Sequence, residues 1–280
     1  MTAFEAGILR TGIFIFGAII GSFLGASTYR IPRGISLVRP RSHCPACAHP
    51  LGTWDLIPIV SFVLHQGKCA YCGARISRRY LLIEAVSGLI SLMLFMRHGL
   101  GWAFVAYSLL CYLAILLAAI DLEHCRLPNV LTIAGIVIGF VINLAWYWAG
   151  GATVALTPSP QWQEVWQGAV VNPGSWGNYE FLAPHFTPLH SLLGILVGGG
   201  VLWLVAIFSR GGMGGGDVKY LAAIGSFMGP GAALLVLFIA STLGAITGVV
   251  LLLTKRISRK EPIPFGPFLS VAVLALALIG

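Results

Sequence analysis

Two aspartates, Asp121 and Asp217, each stand at the edge of a long apolar run. A charge at the bilayer centre costs at least ~2.5–3.5 kcal/mol on insertion scales, so carboxylates in or beside membrane spans are rare and usually functional. Either one alone could serve only to cap a helix or to neutralise Arg126 or Lys219. Together they have the composition for hydrolysis. Two neighbouring carboxylates cannot both ionise readily and so share a proton. One deprotonates an attacking water while the other protonates or polarises the carbonyl oxygen. Gly214, Gly215 and Gly216 run directly into Asp217 and Lys219 follows. Three glycines disfavour a helix there, and non-helical backbone survives at membrane depth only where it is buried in protein or lines a wet cavity. The pattern predicts an irregular active-site stretch at Gly214, Gly215 and Gly216 leading into Asp217, with Lys219 beside it.

A second constellation is Cys44-x-x-Cys47 followed by Cys69-x-x-Cys72, in the contexts Cys-Pro-Ala-Cys and Cys-Ala-Tyr-Cys-Gly. Four thiolates at this spacing suit a tetrahedral structural Zn²⁺. Disulfides are the alternative in an oxidising compartment, so topology decides between them. His43 and His49 flank the first pair and read as bystanders, since four cysteines complete a site.

The elements that must position these groups follow from composition. The chain has 280 residues, 58% hydrophobic and only 9% charged, against about 45–50% and about 25% in soluble domains. The reading is an all-α polytopic membrane protein with about eight transmembrane helices and a small zinc-binding loop domain. The spans run from about Ile8 to Thr28, Tyr80 to Met96, Trp102 to Ile120, Asn129 to Ala149, His190 to Ser209, Val218 to Gly229, Ala232 to Thr254 and Phe265 to Gly280. The first is read as an uncleaved span, because no basic region precedes it and Arg30 and Arg33 follow it. Domain boundaries fall as 1–29 for the first helix, 30–79 for the tetracysteine domain and 80–280 for a seven-helix core with an outer loop at 150–189.

Charge sets the orientation. Eight Lys/Arg lie in 30–79 and seven more at Arg126, Arg210, Lys219, Lys255, Arg256, Arg259 and Lys260, so fifteen of seventeen share one side. The positive-inside rule puts both termini outside and both aspartates at the cytoplasmic face. The tetracysteine loop then lies in a reducing compartment, which favours zinc over disulfides. The net charge of +8 is thereby topological, and no nucleic-acid partner is expected.

Gly21-Ser22-Phe23-Leu24, Tyr29-Arg30-Ile31-Pro32-Arg33, the two Cys-x-x-Cys pairs, Asp121 with Leu127-Pro128-Asn129, and Gly214-Gly215-Gly216-Asp217-Val218-Lys219 occur in this order. The chain thereby resembles the bacterial type IV prepilin peptidases, membrane aspartic proteases of the GxGD type. The resemblance implies an inner-membrane enzyme that removes the basic leader of type IV prepilins or type II secretion pseudopilins after a glycine. It further implies N-methylation of the exposed residue with S-adenosylmethionine as donor. Asp121 and Asp217 match the family's catalytic pair, and Glu84 falls at a characteristic glutamate, a candidate substrate or methyl-transfer position. Gly25 stands where the family has Asn, Leu81 where Pro is frequent, and the 150–189 loop is long. A peptidase without methyltransferase activity and a non-catalytic scaffold or transporter are the alternatives. Transport predicts paired broken helices in related halves, and the sequence shows one such break. Glu84, Glu123, Asp55 or anionic lipid headgroups would recognise a basic leader.

Overall fold

Long apolar runs leave the backbone no partner but itself in lipid, which forces helices. The computed structural model describes residues 3–39, 41–149, 187–208, 213–255 and 263–279. Among these, the helices are α1 (Ala3–Arg30), α2 (Val60–Leu64), α3 (Arg78–His98), α4 (Trp102–His124), α5 (Asn129–Trp148), α6 (Pro188–Phe208), α7 (Gly215–Leu253) and α8 (Gly266–Ile279). Six are long and apolar enough to cross a membrane, and α8 is a shorter apolar helix. The described residues form no strand, only the isolated bridges His43–Pro50 and Lys68–Arg75. The protein is an all-helical, multi-pass membrane protein. The loop expected at 150–189 lies outside the described residues up to 186.

The chain divides into two compact units, Met1–Phe95 and Met96–Gly280. In the first, α1 and the start of α3 meet through small residues: a Cβ on Gly21 would lie 2.7 Å from Glu84 Cα. Arg79 donates to the Thr28 hydroxyl at 2.7 Å. A Cβ on Gly25 would sit 3.0 Å from the Tyr80 ring, so an aromatic side chain occupies the space beside this glycine.

In the second unit, α7 holds two of the expected spans. Gly229 breaks it with φ 82° and ψ 179°, and Pro230 follows. Residues before proline avoid the helical region, and proline itself has no N–H to give. A Cβ on Gly198 would meet the Leu221 carbonyl oxygen at 2.7 Å and Ala233 Cβ at 3.4 Å. In a straight helix those twelve residues would span about 18 Å. Therefore α7 doubles back at Gly229–Pro230 into two arms. The turn is a kink without a loop.

Pro230 cannot donate to the Ser226 carbonyl, which lies one helical turn earlier. That oxygen is instead satisfied by Asn143 Nδ2 at 2.9 Å and Ser191 Oγ at 2.8 Å. Close glycine contacts set the partners of the first arm: Gly194 abuts the Gly225 carbonyl, and Gly139 abuts Ser226 and Phe227. The core is built from Leu110, Leu117, Leu202, Tyr220, Leu221, Ile224, Val236, Leu269 and Val273, all fully buried.

Helix directions follow from these contacts. Asn129 meets Lys219 and Asn143 meets Ser226, so α5 runs parallel to the first arm of α7. Arg97 and His98, just before α4, donate to or face the carbonyls of Ile279 and Ala277 at the end of α8. Asp121 near the end of α4 meets Gly266 at the start of α8. The end of α4 and the starts of α5, α7 and α8 thus gather at one end of this unit. The rings of Trp102 and Trp146 stack at the other, 5.8 Å apart.

Candidate active site and metal centre

Asp121 lies in the last turn of α4, which runs on to His124. The helix ends at Cys125, a left-handed residue (φ 47°) whose N–H caps the Asp121 carbonyl. The Asp121 side chain is only 4% exposed, and its Oδ2 accepts the Gly266 N–H at 3.0 Å. Gly266 is the first residue of α8, whose leading N–H groups have no partner within the helix. A carboxylate there is favoured by both the hydrogen bond and the helix dipole.

Asp217 corrects one expectation. The triple glycine is not an irregular loop throughout: Gly214 is the N-cap and Gly215 and Gly216 are the first helical residues of α7. Asp217 therefore sits in a helical first turn. Glycine costs little at that end, where few intrahelical bonds exist to lose, and the carboxylate meets the positive end of the dipole. The lack of a side chain is used at Gly216, where a Cβ would fall 2.8 Å from Leu127 Cβ. Lys219, in the same turn region, donates to Asn129 Oδ1 at 2.7 Å. Asp217 is half-buried and lies close enough to Asp121 for direct electrostatic coupling. Ninety-six residues separate the two aspartates in sequence, and the fold brings them together.

Two residues here escaped the reading of chemistry-bearing types. Gly266 supplies a backbone donor, and its neighbours Pro264 and Pro267 were the available signal. Leu127 fills the space between Gly216 and Gly266; it had entered only as part of Leu127-Pro128-Asn129. Behind them, the hydroxyls of Tyr220 and Ser270 are 2.8 Å apart, and Ser270 Oγ also donates to Ala114 and Gly266 carbonyls.

In the first unit, Cys44, Cys47, Cys69 and Cys72 converge, with all four sulfurs within 4.8 Å of one another. Two like-shaped knuckles achieve this. Cys44 N–H bonds the His49 carbonyl and Ala48 N–H bonds the Cys44 carbonyl; Cys69 N–H bonds Ala74 and Gly73 N–H bonds Cys69 in the same pattern. Each knuckle turns through a left-handed residue, Ala48 (φ 56°) and Gly73 (φ 70°). All six cysteines are free thiols. Zn–S bonds of about 2.3 Å put tetrahedral sulfurs about 3.8 Å apart, and Cys44 Sγ and Cys72 Sγ stand 3.9 Å apart. The donor set and its spacing fit zinc. The N–H groups of Cys47 and Ala46 pull Cys44 down to about 7. Cys72 accepts a lowering bond from Ala74, but the thiols of Cys47, Cys69 and Cys44 together with burial push it up to about 12. Four crowded sulfurs give up their first proton easily and their last with difficulty.

The histidines are bystanders here: His43 faces the Arg41 carbonyl, and His49 stacks on Tyr71 at 3.7 Å. Asp55 is spent inside the same lobe, accepting from Gly52 N–H at 2.9 Å and Tyr71 at 3.0 Å, with His65 3.5 Å away. Glu123 lies 3.9 Å from His124 at the exposed end of α4. Glu84, buried on α3, accepts the Ile59 N–H at 2.7 Å. Ile59 holds φ 62°, a strained state for a β-branched residue, and the buried carboxylate helps to hold it there.

Comparison with known proteins places this architecture. Residues 15–98 match the bacterial peptidase A24 N-terminal domain. Residues 108–172 and 164–249 match the type IV leader peptidase family. A prepilin leader peptidase/N-methyltransferase of Bacillus subtilis is 31% identical over 268 residues, covering 96% of this chain and 93% of that protein. Proteins of the same description from Aeromonas salmonicida and Neisseria gonorrhoeae are 30% and 29% identical, covering 93% and 92% of this chain and 87% and 86% of theirs. No solved structure matches. With models matched in both units and relatives aligned over nearly the full length, the chain belongs to the type IV leader peptidase family.

Proposed function

We propose that this chain cleaves the basic leader from type IV prepilins or type II secretion pseudopilins and N-methylates the residue that the cut exposes. The observation that carries the reading is the meeting of Asp121 and Asp217 at one end of the second unit. Asp121 is buried and fixed by the Gly266 amide, whereas Asp217 is half-open to solvent. The pair shares a proton: one carboxylate takes a proton from water as the water oxygen attacks the scissile carbonyl, and the other gives its proton to the carbonyl oxygen. Gly215, where a Cβ would meet nothing within 4 Å, leaves room for the substrate backbone, and Lys219 is steadied by Asn129.

Placement of the basic residues supports a cytoplasmic active site and both termini outside, while the apolar helices and the bacterial relatives support residence in the inner membrane. We assign 1–29 to the first transmembrane helix, 30–79 to the cytoplasmic zinc domain and 80–280 to the seven-helix catalytic core. Zinc on Cys44, Cys47, Cys69 and Cys72 is structural, since four protein thiolates leave no open position.

Methyl transfer rests on the relatives. S-adenosylmethionine would supply the methyl group as a cationic sulfonium. A cavity of about 230 Å³ in the first unit is lined by Ser22, Ser27, Arg30, Leu37, Leu56 and Pro58 among others. Arg30 in that wall donates to the Ser36 and Leu37 carbonyls at 3.2 and 3.0 Å. Changes at Glu84 or in the zinc loop are expected to impair methylation more than cleavage.

Purified enzyme in lipid, given a prepilin and labelled donor and read by mass spectrometry, separates the two activities. Asp121→Asn and Asp217→Asn are each expected to abolish cleavage with insertion intact. Substantial hydrolysis by either folded variant would remove the dyad. Methylation of a mature peptide by Asp217→Asn enzyme is expected, because Glu84 and the cysteines belong to the other unit; parallel loss of both would mean one shared site.

A further inference from the structure

We infer that Leu127 is the positioning residue that sets the separation of the two catalytic carboxylates. This rests on the aspartate reading above. One side chain touches both arms of the pair. Its Cβ lies 2.8 Å from where a Cβ on Gly216 would stand, next to Asp217; its Cδ2 lies 3.3 Å from the corresponding point on Gly266. Gly266 in turn holds Asp121, and a Cβ there would meet Asp121 Oδ2 at 2.7 Å. Both glycines therefore have their missing side chain replaced by Leu127 or by the carboxylate itself.

The turn that carries Leu127 is fixed on every side. Cys125 N–H is bonded to the Asp121 carbonyl at 2.8 Å, which anchors it to α4. Pro128 follows, so Leu127 is confined to extended backbone, and Pro128 caps α5 in an extended conformation. Asn129 then grips Lys219 at 2.7 Å, a second attachment to α7. A spacer works only if its own position is set, and these bonds set it. Because core packing is dense, such a spacer transmits its size to its neighbours.

Truncation to alanine keeps the Cβ that faces Gly216 and removes the Cδ2 that faces Gly266, so it should misplace the Asp121 arm relative to Asp217 without removing either carboxylate. A displacement near 1 Å can cost about 10²-fold in rate. For Leu127→Ala the expected result is a fall in kcat of about 10²-fold with KM little changed. The two apparent pKa values of the pH–rate profile should also change their separation, since that separation measures the interaction between the two groups. Leu127→Met, of similar volume, should restore both. Leu131→Ala, a packing loss in the first turn of α5, controls for stability and should lower thermal stability while leaving the pH profile unchanged. A folded Leu127→Ala enzyme with wild-type kcat and profile overturns the inference, as does a Leu131→Ala enzyme with the same altered profile. Failure of wild-type enzyme to cleave, or cleavage by Asp217→Asn, would strike the dyad reading instead. If Leu127→Ala does not fold, Leu127→Ile, which reshapes the contact at constant volume, must shift the profile or the inference falls.

Discussion

Replacing Ser191 with Ala and Asn143 with Leu, singly and together, probes the fold-back of α7. Both side chains bond one acceptor, the Ser226 carbonyl that Pro230 cannot serve. After either single change the other donor remains. Interhelical hydrogen bonds in membrane proteins are worth about 0.6 kcal/mol on average and up to about 1.7, so each single variant should lose roughly that much. The double variant leaves a buried carbonyl with no donor, and an unsatisfied buried group costs about 1–3 kcal/mol in addition. The loss in the double variant should therefore exceed the sum of the two single losses, a coupling of about 1–3 kcal/mol. Reversible unfolding in mixed micelles, followed by circular dichroism, gives the three differences. Ser226 is nine residues beyond Asp217, about 14 Å along a helix, so folded molecules should keep their cleavage rate. Strict additivity would refute the account, because the carbonyl would then have another donor. A Ser191 variant bearing the whole loss alone would do the same.

The remaining tests concern the metal and the helix contacts. Purified protein should carry one zinc per chain, lost when Cys44 and Cys69 are both replaced by Ser, with increased proteolysis of 30–79; metal-free protein with an intact, resistant loop would contradict this. Zinc must displace protons from thiols, chiefly from Cys72, held near 12 without metal, while Cys44 near 7 is already half ionised at neutrality. Affinity should therefore fall as pH drops through 7 and below, and a chelator competition flat from pH 8 to 6 would exclude proton-coupled binding. Gly194→Ala should destabilise the second unit strongly because its Cβ would enter the Gly225 carbonyl, whereas Gly200→Ala, with nothing within 4 Å, should be neutral in the same melt.

Much of this arrangement was readable beforehand because lipid restricts the options. Expected spans at Trp102–Ile120, Asn129–Ala149 and His190–Ser209 fall within a few residues of α4, α5 and α6, where Gly101, Pro128 and Pro188 mark their starts. The pairing of Asp121 with Asp217 at one end followed from counting crossings. The helix over Gly215–Asp217 did not, because glycine propensities describe helix interiors and this is a terminus anchored by Leu127. The sixth expected span ends at Gly229, where α7 breaks, but the absence of a loop there depends on Asn143 and Ser191, which lie 83 and 35 residues from the Ser226 carbonyl they satisfy. Leu127 and, apart from its flanking prolines, Gly266 were hard to read as site residues for the same reason. A leucine and a backbone amide carry no chemical signature until the chain has folded around them.

The glycine-lined contact between α6 and the first arm of α7 determines how that pairing answers to its surroundings. Gly194 and Gly225 bring two backbones into direct contact, so attraction comes from atom-to-atom dispersion, with little release of water. Such an association contributes little to the heat capacity of unfolding, which tracks exposure of apolar surface to water. It should weaken only gradually on cooling and be nearly indifferent to acyl-chain length. The arm that bears Asp217 would then keep its footing in bilayers of different thickness and fluidity, leaving the outer surfaces of the helices to absorb the mismatch by tilting.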